Sequence, residues 1–271
     1  MDNNVFINYW IGEEPTGPGQ SPRLNEMPDC VDIVPLAFVG IDEQYNLTFD
    51  FLTQQNSADT IKGWINDIRS RGIRVLLSIN SQKFASIPDA NAFASQVAEA
   101  VQDWGVDGVD IDFEPPSQSD TLLTVLEALR DTLGPDALMT SPIYSPWAWY
   151  TSDYMHKFSS YLNYVTTMDY TGYPGYNSTI SLLDKYSGLL DSPDKLVVGI
   201  SCMEPPNNVT PLDDVPKLCQ YQPNGNKLGG AMLYTYSYDI ETRPKGGTGY
   251  PNGTYTKTIH EALKGVPEAM K

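Results

Sequence analysis

The chain has 271 residues, enough for one large domain with a full core, since barrels of about 250 residues are common as single domains. Its formal net charge of -17 argues against nucleic acid and anionic membranes as partners and suits a neutral or cationic substrate. No apolar run approaches the ~18–20 residues that a membrane span needs.

The N-terminus, Met1-Asp2-Asn3-Asn4, leads straight into a strand-like segment, with neither the charged nor the apolar region of a signal peptide. It reads as intracellular or as a mature secreted form. Sequons at Asn46, Asn177, Asn208 and Asn252 fit secretion, which is the expectation carried forward, with the cytoplasm left open. Strand-like runs follow at residues 5–10, 33–38, 75–79, 108–113, 138–143, 164–170, 196–201 and 230–234. Most are short and apolar, as strands buried on both faces should be. Helical spacing falls between several of them. Ile61, Trp64, Ile65 and Ile68 make one stripe over 59–71, which Gly72 ends. Phe93, Val97, Val101 and Trp104 make another over 91–104. Leu122, Val125, Leu126, Leu129 and Leu133 make a third over 119–133, stopped by Gly134-Pro135. A further helix is expected around 213–221, and 256–264 reads as a closing helix. Strand then helix, repeated to a count of eight, is the pattern of a single (β/α)8 TIM barrel occupying residues 1–271. The connection between the seventh and eighth strands is too short for an α+β insertion domain. Stretches 10–20, 144–154, 172–176 and 236–255, rich in Pro, Gly and aromatics, read as the loops of the binding face. The 17 Tyr and 5 Trp supply flat amphipathic rings suited to sugars, beyond those that the core takes.

The fourth run carries the chemistry. In Asp107-Gly108-Val109-Asp110-Ile111-Asp112-Phe113-Glu114, acidic and apolar residues alternate with period two. A strand puts Asp110, Asp112 and Glu114 on one face and Val109, Ile111 and Phe113 on the other. Three carboxylates in a row repel one another and are costly to desolvate, so a core strand carries them for a chemical reason. Pro115 and Pro116 stop the strand, which leaves Glu114 at its carboxyl end, where parallel α/β folds build active sites. A solvated edge strand would not have a wholly apolar opposite face. A Mg²⁺ or Ca²⁺ site would need further ligands from other strands, and none stands out. Asp107 has the wrong parity for the cluster and is expected to be structural. Cys30, Cys202 and Cys219 have no metal-ligand spacing; Cys202 and Cys219 are left open as a pair across a loop. His156 and His260 stand alone. No metal or cofactor is expected.

The sequence resembles glycoside hydrolase family 18, whose acidic strand has the form Asp-x-x-Asp-x-Asp-x-Glu. Asn8-Tyr9-Trp10 is similar to the end of that family's first strand and Ala37-Phe38 to the end of its second. Met168-Asp169-Tyr170 is similar to its sixth-strand Met-x-Tyr, and Gly229-Gly230-Ala231-Met232 to the start of its eighth. There are three departures. Ser78-Ile79-Asn80-Ser81 stands for Ser-x-Gly-Gly, Tyr234 for the Trp floor under the sugar, and Thr171 for the Asp or Asn after the sixth-strand Tyr. By strand parity, Asp169 is expected to face away from Met168 and Tyr170.

The resemblance implies a glycosidase, acting as a monomer on chitin or another glycan containing N-acetylglucosamine. Glu114 would be the proton donor. The substrate's own acetamido oxygen would attack the anomeric carbon, in the substrate-assisted manner of this family. Asp112 would hold the acetamido N–H, Asp110 would share a proton with Asp112, and Tyr170 would donate to the acetamido oxygen. Tyr9, Phe38 and Met168 fit barrel core as well as sugar contact; the expectation is contact, and more so for Tyr234. The leading expectation is an endo-acting chitinase working in a shallow open groove. The alternatives are an endo-β-N-acetylglucosaminidase cutting the chitobiose core of N-glycans, and a chitin-binding lectin on the same fold. Lectin-like members lose the acid, and this chain keeps Glu114.

Overall fold

Eight apolar runs build a closed parallel barrel in this computed structural model, which describes residues 4–12, 22–114, 117–203, 208–240 and 250–264. The strands are β1 Val5–Asn8, β2 Ile33–Ile41, β3 Arg74–Asn80, β4 Gly108–Asp112, β5 Leu138–Ile143, β6 Tyr164–Thr167, β7 Leu196–Ser201 and β8 Gly230–Tyr234. Each pairs in parallel with the next, and β1 pairs with both β2 and β8, which closes the sheet. Trp10–Ile11 continues β1 past Tyr9 and pairs with β2.

The helices are α1 Ala58–Ser70, α2 Ala90–Trp104, α3 Asp120–Leu133, α4 Ser152–Ser160, α5 Tyr176–Ser187, α6 Val215–Cys219, α7 Tyr236–Ile240 and α8 Thr254–Lys264. Their starts are chemically marked. Ser57, Asp89 and Ser119 accept backbone N–H groups at the first turns of α1, α2 and α3, satisfying donors that have no partner within the helix. No helix among the described residues is long and apolar enough to cross a membrane.

Period-two alternation splits the apolar residues into two layers. Ile7, Ile33, Leu76, Leu138, Val197 and Met232 fill the barrel, while Val75, Leu77, Val109, Ile111 and Val198 face outward to the helices. Gly108 opens the acidic strand for a steric reason. Its φ is +153°, and a Cβ there would lie 1.9 Å from the Leu138 carbonyl oxygen. Among the described residues, only α6 and a short 3-10 turn, Pro223–Gly225, lie between β7 and β8, so no α+β insertion is present there.

Several expectations need correction. The stretch 144–154 is not a loop throughout: it forms a 3-10 turn, Ser145–Trp149, and the start of α4. Buried Trp147 packs there against Tyr150, Tyr154 and Phe158, so these aromatics are core. In 236–255, α7 and the start of α8 replace part of the loop. Asp239 makes this work by accepting the N–H groups of Tyr255 and Thr256 at 2.9 and 2.8 Å. Residues 241–249 of that stretch, 13–20 of the first loop, and the strand-stopping Pro115 and Pro116 lie outside the described residues. The sixth strand ends at Thr167, not at residue 170. Cys202 and Cys219 are both free, buried thiols, and Cys30 is free as well.

Candidate active site

The acidic strand holds the parity that its sequence dictates. Val109, Ile111 and Phe113 are buried in the outer layer, and Asp110 and Asp112 are buried on the opposite side. Glu114 follows the strand's end and is exposed at the mouth of a cavity of about 560 Å³, within the ~300–1,000 Å³ typical of ligand sites. Asp107 lies outside this cluster, as its parity requires. It accepts Arg69 Nη2 and Nε at 2.7 and 3.0 Å and the Val75 N–H at 2.8 Å, fastening α1 to the strand bases.

Asp110 sits deepest, inside a cage of hydroxyls from three strands. Tyr9 and Ser78 donate to its Oδ2, each at 2.7 Å, and Thr140 donates to its Oδ1 at 2.6 Å. Burial pushes its carboxyl above the usual carboxylate range, and the three hydroxyls oppose that rise. Asp112 is less well served. Its Oδ2 accepts Asn80 Nδ2 at 2.6 Å, while its buried Oδ1 has no partner. Burial, followed by the charges of Asp110 and Glu114, lifts its pKa to about 8, with the Asn80 hydrogen bond opposing. The two aspartates are coupled through charge, and each takes its hydrogen bonds from other groups.

This arrangement has a measurable cost. An ordinary Asp ionises near pH ~3.9, so between there and pH 8 the unfolded chain releases the Asp112 proton while the fold retains it. Asp112 therefore removes stability as pH rises through that window, by at most about 1.4 kcal/mol per pH unit. The Asp112→Asn variant should melt near the wild type at pH 4 and progressively above it towards pH 8. Melting curves that run parallel across that range would contradict the burial of this acid.

Aromatic rings form the opposite wall. Tyr170 and Tyr234 stack with centroids 6.2 Å apart, and Tyr9 meets Tyr234 edge-on at 5.7 Å. Tyr9, Phe38, Met168, Tyr170 and Tyr234 all line the cavity with Asp112 and Glu114. Phe38 reaches it because the β2–β3 register shifts between Ala37 and Val39. Burial holds the Tyr170 hydroxyl well above its ordinary pKa, reinforced by Tyr234 and the three acids, so it is a donor at neutral pH.

Residues 168–170 follow the end of β6, and Met168, Asp169 and Tyr170 all line the cavity. The Asp169 carboxylate lies beside Tyr186 of the outer layer, whereas Tyr170 belongs to the inner layer with Met168 packed against it. Asp169 accepts Ser145 Oγ at 2.5 Å, and burial raises its pKa. Asn80 is another cavity residue that sequence reading missed as a participant, although its departure from a glycine pair was visible. Among the described residues, no group of three or more His, Cys, Asp and Glu could hold a metal ion.

A buried carboxylate pair beneath an exposed glutamate, facing an aromatic wall at the carboxyl end of a (β/α)8 barrel, is the architecture of a glycoside hydrolase. The family model described as the endo-β-N-acetylglucosaminidase EndoS TIM-barrel domain matches residues 6–248, and the chain belongs to that family. Among solved structures, a GH18 chitinase from Pseudoalteromonas aurantia is similar at a TM-score of 0.77 and 20% identity, over 96% of this chain and 100% of that one. A fungal endo-β-N-acetylglucosaminidase of glycosyl hydrolase family 18 gives 0.76 and 16%, over 97% and 99%. The endo-β-N-acetylglucosaminidase from Cordyceps militaris gives 0.70 and 20%, over 97% and 92%. At these identities the likeness is one of fold, and it agrees with the resemblance to glycoside hydrolase family 18. A search of curated protein sequences found no match.

Proposed function

We propose that this protein is an endo-acting hydrolase of the β-1,4 bond between two N-acetylglucosamine residues, with the chitobiose core of N-glycans as its substrate. The observation that carries the chemistry is the acidic strand: Glu114 at the cavity mouth, Asp112 and Asp110 buried behind it, and Tyr170 across from them. The match to the EndoS barrel model and the tyrosine floor at Tyr234 favour the N-glycan core. The fold shared with chitinases keeps chitin as the second reading.

In this reading Glu114 gives its proton to the glycosidic oxygen as that oxygen leaves the anomeric carbon. The substrate's acetamido carbonyl oxygen forms the new bond to that carbon, and an oxazolinium ion results. Asp112 passes its proton to the Asp110 carboxylate, with which it titrates as a unit, and as a carboxylate it accepts the acetamido N–H and balances the positive charge that develops there. Tyr170 donates to the acetamido oxygen and orients it. Water then adds to the anomeric carbon, Glu114 carboxylate takes the water's proton, and the acetamido group is restored with the configuration retained. Tyr9, Phe38, Met168 and Tyr234 form the apolar surface on which the sugar rests. Among the described residues the β7–β8 connection holds only α6 and a 3-10 turn, with no added domain to wall the cavity, which favours cleavage within a chain over cleavage from its end.

The test compares release of glycan from a high-mannose glycoprotein with release of oligomers from chitin, under identical conditions. The expected result is a glycan ending in one N-acetylglucosamine and a protein retaining the other. Faster turnover of chitin with early mixed oligomers would select the second reading, and binding of either substrate without hydrolysis would select a lectin.

A further inference from the structure

The carboxyl end of β3 touches the acidic strand at three points. In the β3–β4 ladder Asn80 lies directly opposite Asp112, and its Nδ2 donates to Asp112 Oδ2 at 2.6 Å. One residue on, the Ser81 N–H donates to the Asp112 backbone carbonyl at 3.2 Å. Gln82 Nε2 donates to the Glu114 backbone carbonyl at 2.9 Å. Asn80 also lines the cavity. A glycine at position 80 could supply none of the side-chain contact.

We propose that Asn80 is a positioning residue. Its amide pins Asp112 Oδ2 against β3, which fixes the carboxyl's rotation and leaves Oδ1 as the atom that meets the substrate's acetamido N–H. The inference rests on the reading of Asp112 given above. The unpartnered, buried Oδ1 is what such a hold produces: one oxygen is occupied and the other kept vacant for a donor that arrives with substrate. Asn80 also acts on the charge of Asp112. Asp110 and Glu114 on the same strand disfavour its ionised form, and the phenols of Tyr9 from the end of β1 and Tyr170 after β6 lie within electrostatic reach. Asn80 is the group that opposes them, because its hydrogen bond favours the carboxylate. The hold therefore favours the carboxylate form of Asp112, the form that accepts the acetamido N–H.

The experiment compares Asn80→Ala and Asn80→Gly with the wild type, using kcat and KM on a β-1,4-linked N-acetylglucosamine substrate, a ¹³C-carboxyl titration of Asp112, and thermal melting. The glycine variant restores the residue usual in the resembling family. Loss of a hydrogen bond to a charged group should lower kcat about tenfold or more, with KM within about twofold. The Asp112 midpoint should move upward by about one pH unit. Unchanged kcat would overturn the proposal whatever the titration shows. So would a kcat that falls only in step with melting temperature while the midpoint stays put. The titration needs no substrate. If the wild type cleaves nothing while the midpoint still rises in both variants, the functional reading fails and the hold on Asp112 stands. If the wild type cleaves and the midpoint does not move, the hold fails and the functional reading stands.

Discussion

Glu114→Gln is expected to lower hydrolysis by about 10²–10⁴-fold, the usual worth of general acid catalysis, while glycan binding stays within a few-fold of the wild type. The substitution keeps the shape of the side chain and its capacity to hydrogen-bond, and removes the transferable proton together with the charge that Glu114 places near Asp112. Nothing in the fold depends on that proton. Glu114 is exposed beyond the end of β4, and the contact that fixes its place runs from Gln82 to its backbone carbonyl, which the substitution leaves alone. Stability should therefore hardly change. Turnover within a few-fold of the wild type would remove Glu114 from the role of acid, and a parallel loss of binding would point to a misplaced loop.

Asp112→Asn should separate stability from activity. The asparagine cannot ionise, so it escapes the penalty of burying an acid beside Asp110 and Glu114, and the variant should melt higher than the wild type at neutral pH. Yet it cannot supply negative charge where the proposed mechanism places the oxazolinium. Preorganised charge of this kind contributes about 10²–10³-fold in enzymes where it has been removed. The loss should fall on kcat, with KM little changed, because the charge that Asp112 balances exists only on the way to the intermediate. A variant both more stable and far less active would mark Asp112 as a group that the fold tolerates for its chemistry. A loss confined to KM would assign it to ground-state binding.

How much of this was legible in the sequence depended on whether a regular period governed the residue concerned. The acidic strand was, because alternation over Val109 to Glu114 fixes which side chains face the barrel, and the structure keeps that parity. The three helices with clear apolar stripes were also readable. α4 was hidden because its aromatics, Tyr154 and Phe158, belong to a cluster around Trp147 that looks in sequence like a sugar-binding loop. α7 was hidden because it spans only Tyr236–Ile240 and leads to the capping Asp239, a tertiary arrangement that local sequence does not encode. At the site, the aligned motifs placed Tyr9, Phe38, Met168, Tyr170 and Tyr234 around one cavity. Asp169 has its carboxylate against Ser145 and Tyr186, away from the inner layer that holds Tyr170, although β6 ends at Thr167. Asn80 stands out in the sequence as a departure, but its partnership with Asp112 follows from the β3–β4 register, which only the folded barrel sets.

In the proposed mechanism the substrate's acetamido group, and no carboxylate of the protein, is the nucleophile. The most direct measurement offers the enzyme one oligosaccharide in two forms, identical except that the residue on the non-reducing side of the scissile bond carries an acetamido group or a free amine. Cleavage of the acetylated form is expected, with the β-anomer appearing first by proton NMR, and no detectable cleavage of the amine at the same enzyme concentration. Comparable rates on both forms, or a glycosyl ester trapped on a carboxylate of the protein, would contradict it.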